Sequence, residues 1–157
     1  MTIVLNGSVG IPASSLSGVI PDANAPSGSV VQVVQGTYTV QQSTTSTSFV
    51  ASGIAGSITP SSSSNKVLVE VSLNGVTTSA SCFYTIYRDS TNLGIGTNNC
   101  FAVTSSTAGD NSINLRFLDS PGTTSSVTYT VYYKVSSGTG YTTVQGGSVI
   151  TLSEIAA

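Results

Sequence analysis

Between residues 66 and 73 apolar and polar side chains alternate. Val67, Val69, Val71 and Leu73 fall on one side of an extended chain, and Lys66, Glu70 and Ser72 on the other. Successive side chains of a strand point to opposite faces, so this period of two predicts a strand with one face in a core. Leu68 breaks the pattern as an apolar residue on the polar face. The same alternation recurs at 112–118, with Ile113, Leu115 and Phe117 inward, and at 127–135, with Val127, Tyr129, Val131, Tyr133 and Val135 on one face. Residues 148–155 carry apolar side chains in both registers, as a strand covered on both sides does.

Weaker signals fill the intervals. Residues 30–40 predict a strand interrupted at Gly36 by a bulge or a change of sheet. Short edge segments are expected at 48–51 and 57–59, and further strands at 82–88 and 99–104. Asp89-Ser-Thr-Asn92 reads as a turn into residues 93–96, because Asp and Asn side chains hydrogen-bond the nearby backbone. The loops at 105–111, 119–126 and 136–147 are dense in Ser, Thr, Gly and Pro, and the four serines of "ITPSSSSN" read as a solvated loop ahead of the first long core strand. With strands at this spacing and no crossover helix, the chain is expected to be all-β: an antiparallel two-sheet sandwich, with a jelly roll as its variant.

Residues 1–27 depart from this pattern. They hold three of the five prolines (Pro12, Pro21, Pro26) and many small residues, with no run long enough for a core strand. Proline fixes φ and pushes its predecessor toward extended conformations, so Ile11-Pro12 and Ile20-Pro21 suit a segment lying along another surface. The expected organisation is an extended N-terminal arm, 1–27, anchored through Ile3, Leu5, Ile11 and Ile20, followed by a β-sandwich domain, 28–157. The apolar run of the N-terminus stops at Asn6 and has no basic residue, which predicts neither a secretion signal nor a membrane span.

Composition narrows the function. Charged residues are 6% of the 157, against about 25% in ordinary soluble domains, and there is no His or Trp. Four basic residues (Lys66, Arg88, Arg116, Lys134) and a net charge of −2 exclude a phosphate-neutralising surface, so nucleic acid is not an expected partner. No serine has a histidine to activate it, and no Ser-Lys spacing suggests an alternative. Asp22, Glu70, Asp89, Asp110, Asp119 and Glu154 are scattered and read as turn and solvated-face residues, without a paired-carboxylate or EF-hand pattern. No catalytic residue, cofactor or metal is therefore expected.

Cys82 and Cys100 read as two small buried thiols in preference to a bond. Tyr129 and Tyr133 belong to a core face, whereas Tyr38, Tyr132 and Tyr141 are candidates for exposure. A mean hydropathy of +0.27 with so little charge describes a surface suited to an assembly. Leu68, Leu118 and Tyr132, apolar or aromatic on faces opposite the core, are the candidate subunit contacts.

The segments "GSVVQVVQGTYTV", "ITPSSSSNKVLVEVSLNG", "FYTIYRDSTNLGIG", "LDSPGTTSSVTYTVYYKV" and "GGSVITLSEIAA" together resemble a recurring β-domain of fibre and virion structural proteins of tailed phages, notably those infecting marine bacteria, cyanobacterial hosts included. The resemblance runs from about Gly28 to Ala157. It implies a trimeric, non-enzymatic β-sandwich exposed on a virion, made in the host cytoplasm, and carries over no catalytic residue. A short fibre or capsid-decoration protein is the expected role, its arm docking on other virion proteins of capsid or tail. The alternative is a receptor- or polysaccharide-binding tip module of a tail fibre, with a host surface glycan as partner.

Overall fold

The computed structural model describes residues 25–157 except 79–80, 106–110 and 144–145. The arm residues Ile3, Leu5, Ile11 and Ile20, and Asp22 and Asp110, lie outside the described residues.

The period-two segments become the long strands. They are β4 (Lys66–Thr77), β8 (Asn111–Asp119), β9 (Val127–Val135) and β11 (Ser148–Ile155). Burial in β4 alternates strictly inward at Val67, Val69, Val71 and Leu73 and continues through Gly75 and Thr77, beyond its apolar residues. Gly75 has no room for a side chain, since an added Cβ would run into the Tyr84 hydroxyl and Ile113. The remaining strands are β1 (Val30–Tyr38), β2 (Gln42–Thr44), β3 (Val50–Ile58), β5 (Cys82–Arg88), β6 (Thr91–Asn92), β7 (Ala102–Thr104) and β10 (Gly140–Thr142). No helix occurs among the described residues.

One sheet has the order β1-β11-β4-β8, with β10 and β2 continuing beside the far end of β4; the other has β3-β9-β5, and β6 and β7 each pair with β5. All these pairings are antiparallel. Lettering β1, β3, β4, β5, β7, β8, β9 and β11 as B to I, the sheets read B-I-D-G and C-H-E-F. That order interlocks two Greek keys, so the sandwich is a jelly roll. Between the sheets lie Ile54, Ile58, Ile86, Leu115, Val131, Ile150 and Leu152, with the rings of Tyr84, Tyr129 and Tyr133 fully enclosed.

Three expectations need correction. The segments at 48–51 and 57–59 are parts of one strand, β3, whose pairing with β9 shifts register between Ala51 and Ala55. Gly53 takes φ of 81° there, and the Ser52 hydroxyl donates 2.8 Å to the Val131 carbonyl, so the irregularity is bridged and the strand continues. Gly36 is neither a bulge nor a sheet switch: it pairs in register with Ile150, and the shift in β1 falls between Val30 and Gln32. The space at 36 is tight, since an added Cβ would lie 3.2 Å from the Tyr38 ring and 3.3 Å from the Ala55 carbonyl. Tyr38 itself points inward, with its hydroxyl donating to that carbonyl. Finally, the loop expected at 136–147 contains β10, which has no apolar alternation because β4 and β2 hold it by backbone pairing.

Candidate functional site

The outer face of the B-I-D-G sheet can be read row by row from the strand registers. Val33, Ser153, Leu68 and Leu118 form one row across β1, β11, β4 and β8; Gln35, Thr151, Glu70 and Arg116 form the next. Leu68 and Leu118 are direct cross-strand partners. Val30, Val33 and Leu118 are 59%, 58% and 48% exposed, so this end of the sheet offers an open apolar strip to solvent. Beside the strip Arg116 Nε lies 3.2 Å from Glu70 Oε1, and the pair borders a shallow depression of about 300 Å³ that Ser72, Asn114, Val149 and Thr151 complete. An ion pair this exposed contributes little to stability, about 0–1 kcal/mol.

Tyr132, the third candidate contact, is on the opposite side of the molecule. It projects from β9 on the outer face of the C-H-E-F sheet, where its ring stacks on that of Tyr87, with centroids 3.9 Å apart. The structure thus brings together Leu68 and Leu118 and separates both from Tyr132.

Two acidic residues expected on turns or solvated faces are enclosed instead. Glu154 is fully buried. Its Oε1 accepts from the Ser61 N–H (2.7 Å), the Ser61 hydroxyl (2.8 Å) and Asn65 Nδ2 (2.7 Å), and its Oε2 accepts from Gln32 Nε2. Desolvation pushes this carboxyl up, but the bonds from Asn65, Gln32 and Ser61 together outweigh it and hold the group below its ordinary range. The first serine of the quoted run thereby fastens the loop to the last strand, while Ser63 and Ser64 stay exposed as expected. Asp119, 6% exposed, accepts from Arg88 Nη1 (3.0 and 2.8 Å, one to each oxygen) and from the Tyr129 hydroxyl (2.7 Å). Burial, then the bond to Asp119, pushes the Tyr129 hydroxyl far above its usual value; burial pushes Tyr133 up to about 12 and raises the Cys82 thiol as well. These groups keep their protons at neutral pH and act in packing.

Both enclosed carboxylates are buried and spend their oxygens on internal hydrogen bonds, so what they provide is cohesion. Among the described residues no three Cys, Asp or Glu side chains gather as metal ligands. Cys82 is buried and Cys100 half-buried, and both are free thiols. Two surfaces among the described residues combine exposed apolar or aromatic side chains with a neighbouring depression: the apolar strip of one sheet and the aromatic patch of the other. Sequence pattern placed Tyr132 and Leu118 outward but gave no sign of Glu154's enclosure, because the donors around it come from two distant segments, β1 and the loop 61–65.

No family model matches the chain, and no curated protein matches it. Among solved structures it is similar to that of the infectious bursal disease virus Gt strain, with a TM-score of 0.42 and 14% identity, covering 99% of this chain and 47% of that one. It is similar also to the crystal structure of the infectious bursal disease virus VP2 subviral particle, with a TM-score of 0.41 and 14% identity, covering 94% and 42%. The chain spans less than half the length of these solved chains.

Proposed function

We propose that this protein is a non-enzymatic virion structural protein, a short fibre or capsid-decoration protein whose jelly roll stands as a homotrimer on a phage particle. The observation that carries the reading is the row Val33, Leu68 and Leu118, an open apolar strip on a domain with almost no surface charge. An exposed strip of this kind on a sheet face marks an interaction surface, and each aliphatic side chain buried there, already about half covered in the single chain, would contribute about 1 kcal/mol to association. The resemblance of five sequence segments to phage virion domains supports the location. In this reading residues 1–27 are the anchor, with Ile3, Leu5, Ile11 and Ile20 buried on other virion proteins, and residues 28–157 are the projecting domain.

The test is to locate the protein on particles by cryo-electron microscopy with and without residues 1–27. Density on virions that disappears with the arm, while the shortened protein keeps its melting temperature, is the expected result. Particles without the protein would end the reading. The second reading, a receptor- or polysaccharide-binding tip of a tail fibre, is favoured by the aromatic patch on the C-H-E-F sheet.

A further inference from the structure

The outer face of the C-H-E-F sheet carries aromatic rings that the core does not use. Phe83, Thr85 and Tyr87 alternate outward on β5, and Thr130, Tyr132 and Lys134 on β9. Tyr87 sits between two partners: Tyr132 stacks on it at 3.9 Å, and Phe49 meets it edge-on at 6.4 Å. The segment 93–101 folds back over this face and closes one side. Its shape is fixed from within, since Asn92 Oδ1 accepts from the Thr85 hydroxyl (2.7 Å) and the Gly94 N–H (2.8 Å), and Asn92 Nδ2 donates to the Asn99 carbonyl (3.1 Å). Between that segment and Phe49 lies a depression of about 560 Å³. It is lined by Phe49, Tyr87, Lys134, Thr97, Asn98 and Asn99, and Thr47, Ser48 and Asn92 complete the wall.

The charge of this depression is one-sided. Lys134 Nζ is held 4.5 Å above the Phe49 ring and 5.4 Å from that of Phe83, and it has no ion pair among the described residues. Among the described residues no carboxylate lines the depression. Arg88 and Arg116, by contrast, are each paired with an acid, and Lys66, also without an ion pair among the described residues, is exposed on the other sheet and lines no depression with aromatic rings. A protein of net charge −2 has thus kept an uncompensated cation in a concave, polar, ring-walled site.

We propose that this depression binds an acidic saccharide, with Lys134 meeting a carboxylate or sulfate group, the Phe49 and Tyr87 rings covering the apolar face of a sugar ring, and the Asn98, Asn99 and Thr97 side chains answering its hydroxyls. Each element follows from the chemistry on the wall. Aromatic rings offer a flat apolar surface. An amide offers donors and an acceptor together, as vicinal hydroxyls require. A fixed ammonium forms charge-assisted bonds with an anion. The volume lies in the range of small-molecule sites, about 300–1,000 Å³, and the wall is too polar for an apolar peptide. The proposal names the ligand class of the second reading, the polysaccharide-binding one, and rests on the same aromatic patch, but it stands apart from the structural role: particles lacking the protein would end the virion-decoration reading and leave this proposal intact.

The full chain is titrated by calorimetry with a carboxylated oligosaccharide (oligogalacturonate), a sulfated one (carrageenan oligosaccharide) and a neutral one (maltotetraose). Saturable binding of at least one acidic probe is expected, with the neutral probe weaker by about tenfold or more. The two acidic probes distinguish carboxylate from sulfate. Lys134→Gln should weaken the acidic probe by about tenfold. Asn98→Ala, at an exposed position that cannot disturb the core, should weaken it severalfold, whereas Arg116→Gln on the opposite sheet leaves it unchanged. The proposal is overturned if neither acidic probe saturates up to about 10 mM. It is overturned equally if Lys134→Gln and Asn98→Ala bind as the parent does, if Arg116→Gln loses as much as Lys134→Gln, or if Lys134→Gln changes the oligomeric mass, which would make this face a contact between copies.

Discussion

Ser61 donates twice to one oxygen of Glu154, through its N–H at 2.7 Å and its hydroxyl at 2.8 Å. The bond pair ties the loop between β3 and β4 to the last strand, and Gln32 from the first strand completes the tie. Glu154→Gln is expected to destabilise the domain by about 1.5–3 kcal/mol, because hydrogen bonds to a buried charge are lost. An amide at 154 would set its NH₂ against that of Gln32. Gln32 cannot turn over to adapt, since its Nε2 also donates to the Thr59 carbonyl at 2.8 Å. Chemical denaturation at neutral pH measures the difference.

Acid should act on the same group. Glu154 is held below its ordinary value of 4.5 in the folded protein, so its contribution is fully present above the unfolded-state value and lost as the pH falls through the folded one. The stability of the parent protein should therefore drop between neutral pH and about pH 3 by more than that of Glu154→Gln, which has no carboxyl to protonate. Parallel pH profiles for the two would show that Glu154 contributes nothing to the acid transition.

Tyr129 and Arg88 share Asp119 unequally. Tyr129→Phe removes one bond and leaves the ion pair, at an expected cost of about 1 kcal/mol. Asp119→Ala leaves the buried Tyr129 hydroxyl and the Arg88 guanidinium without their acceptor, at an expected cost of about 3–5 kcal/mol. Combining the two should cost less than their sum, since the orphaned hydroxyl is then absent. Denaturation midpoints of the three variants decide it.

How much of this was legible in the sequence differs from strand to strand. Val67, Val69, Val71 and Leu73, and Tyr129, Val131 and Tyr133, announce their inward face because burial on one side of a sheet imposes period two. The sandwich was expected from these runs, whereas the order of its strands is set by the pairings themselves. β10 was hidden because nothing but backbone pairing defines it, and Gly36 was misread because the close approach that favours a small residue there involves the Tyr38 ring and Ala55, on the other sheet. The aromatic patch was half visible. Alternation places Tyr87 and Tyr132 outward, but only the pairing of β5 with β9 brings their rings together, and Phe49 and Lys134 join them from a register that no local pattern encodes.

Gly75 and Tyr84 give a test of packing. The Tyr84 hydroxyl is fully buried and makes no hydrogen bond of good geometry among the described residues, with only the Cys82 thiol and the Thr104 hydroxyl beside it, so Tyr84→Phe should change stability by no more than about 1 kcal/mol. Gly75→Ala pushes a methyl group into that hydroxyl and Ile113 and should cost about 1–3 kcal/mol, with part of the loss recovered when Tyr84→Phe is added. Full additivity would show that the two do not touch in solution.

Assembly through the outer strip of the B-I-D-G sheet predicts a light-scattering mass near three chains for the parent protein. Leu118→Lys, at a position already 48% exposed, should leave the monomer's stability within about 0.5 kcal/mol while lowering that mass. An unchanged mass would remove the strip as the contact.

The pairing of the two ends of the domain also decides how it bears load. The Gly28 N–H donates to the Ala156 carbonyl at 2.8 Å, the Ala156 N–H donates to the Ser29 carbonyl at 2.9 Å, and β1 then runs antiparallel to β11 from that point. Tension applied between these two ends would open the ladder one rung at a time, like a zipper. Tension between the Gly28 end and the far loops would instead load all the rungs of β1 together, in shear. A jelly roll held on one side and pulled from its opposite pole is therefore gripped through its mechanically stronger direction, whereas one strung in series through both ends would be gripped through its weaker.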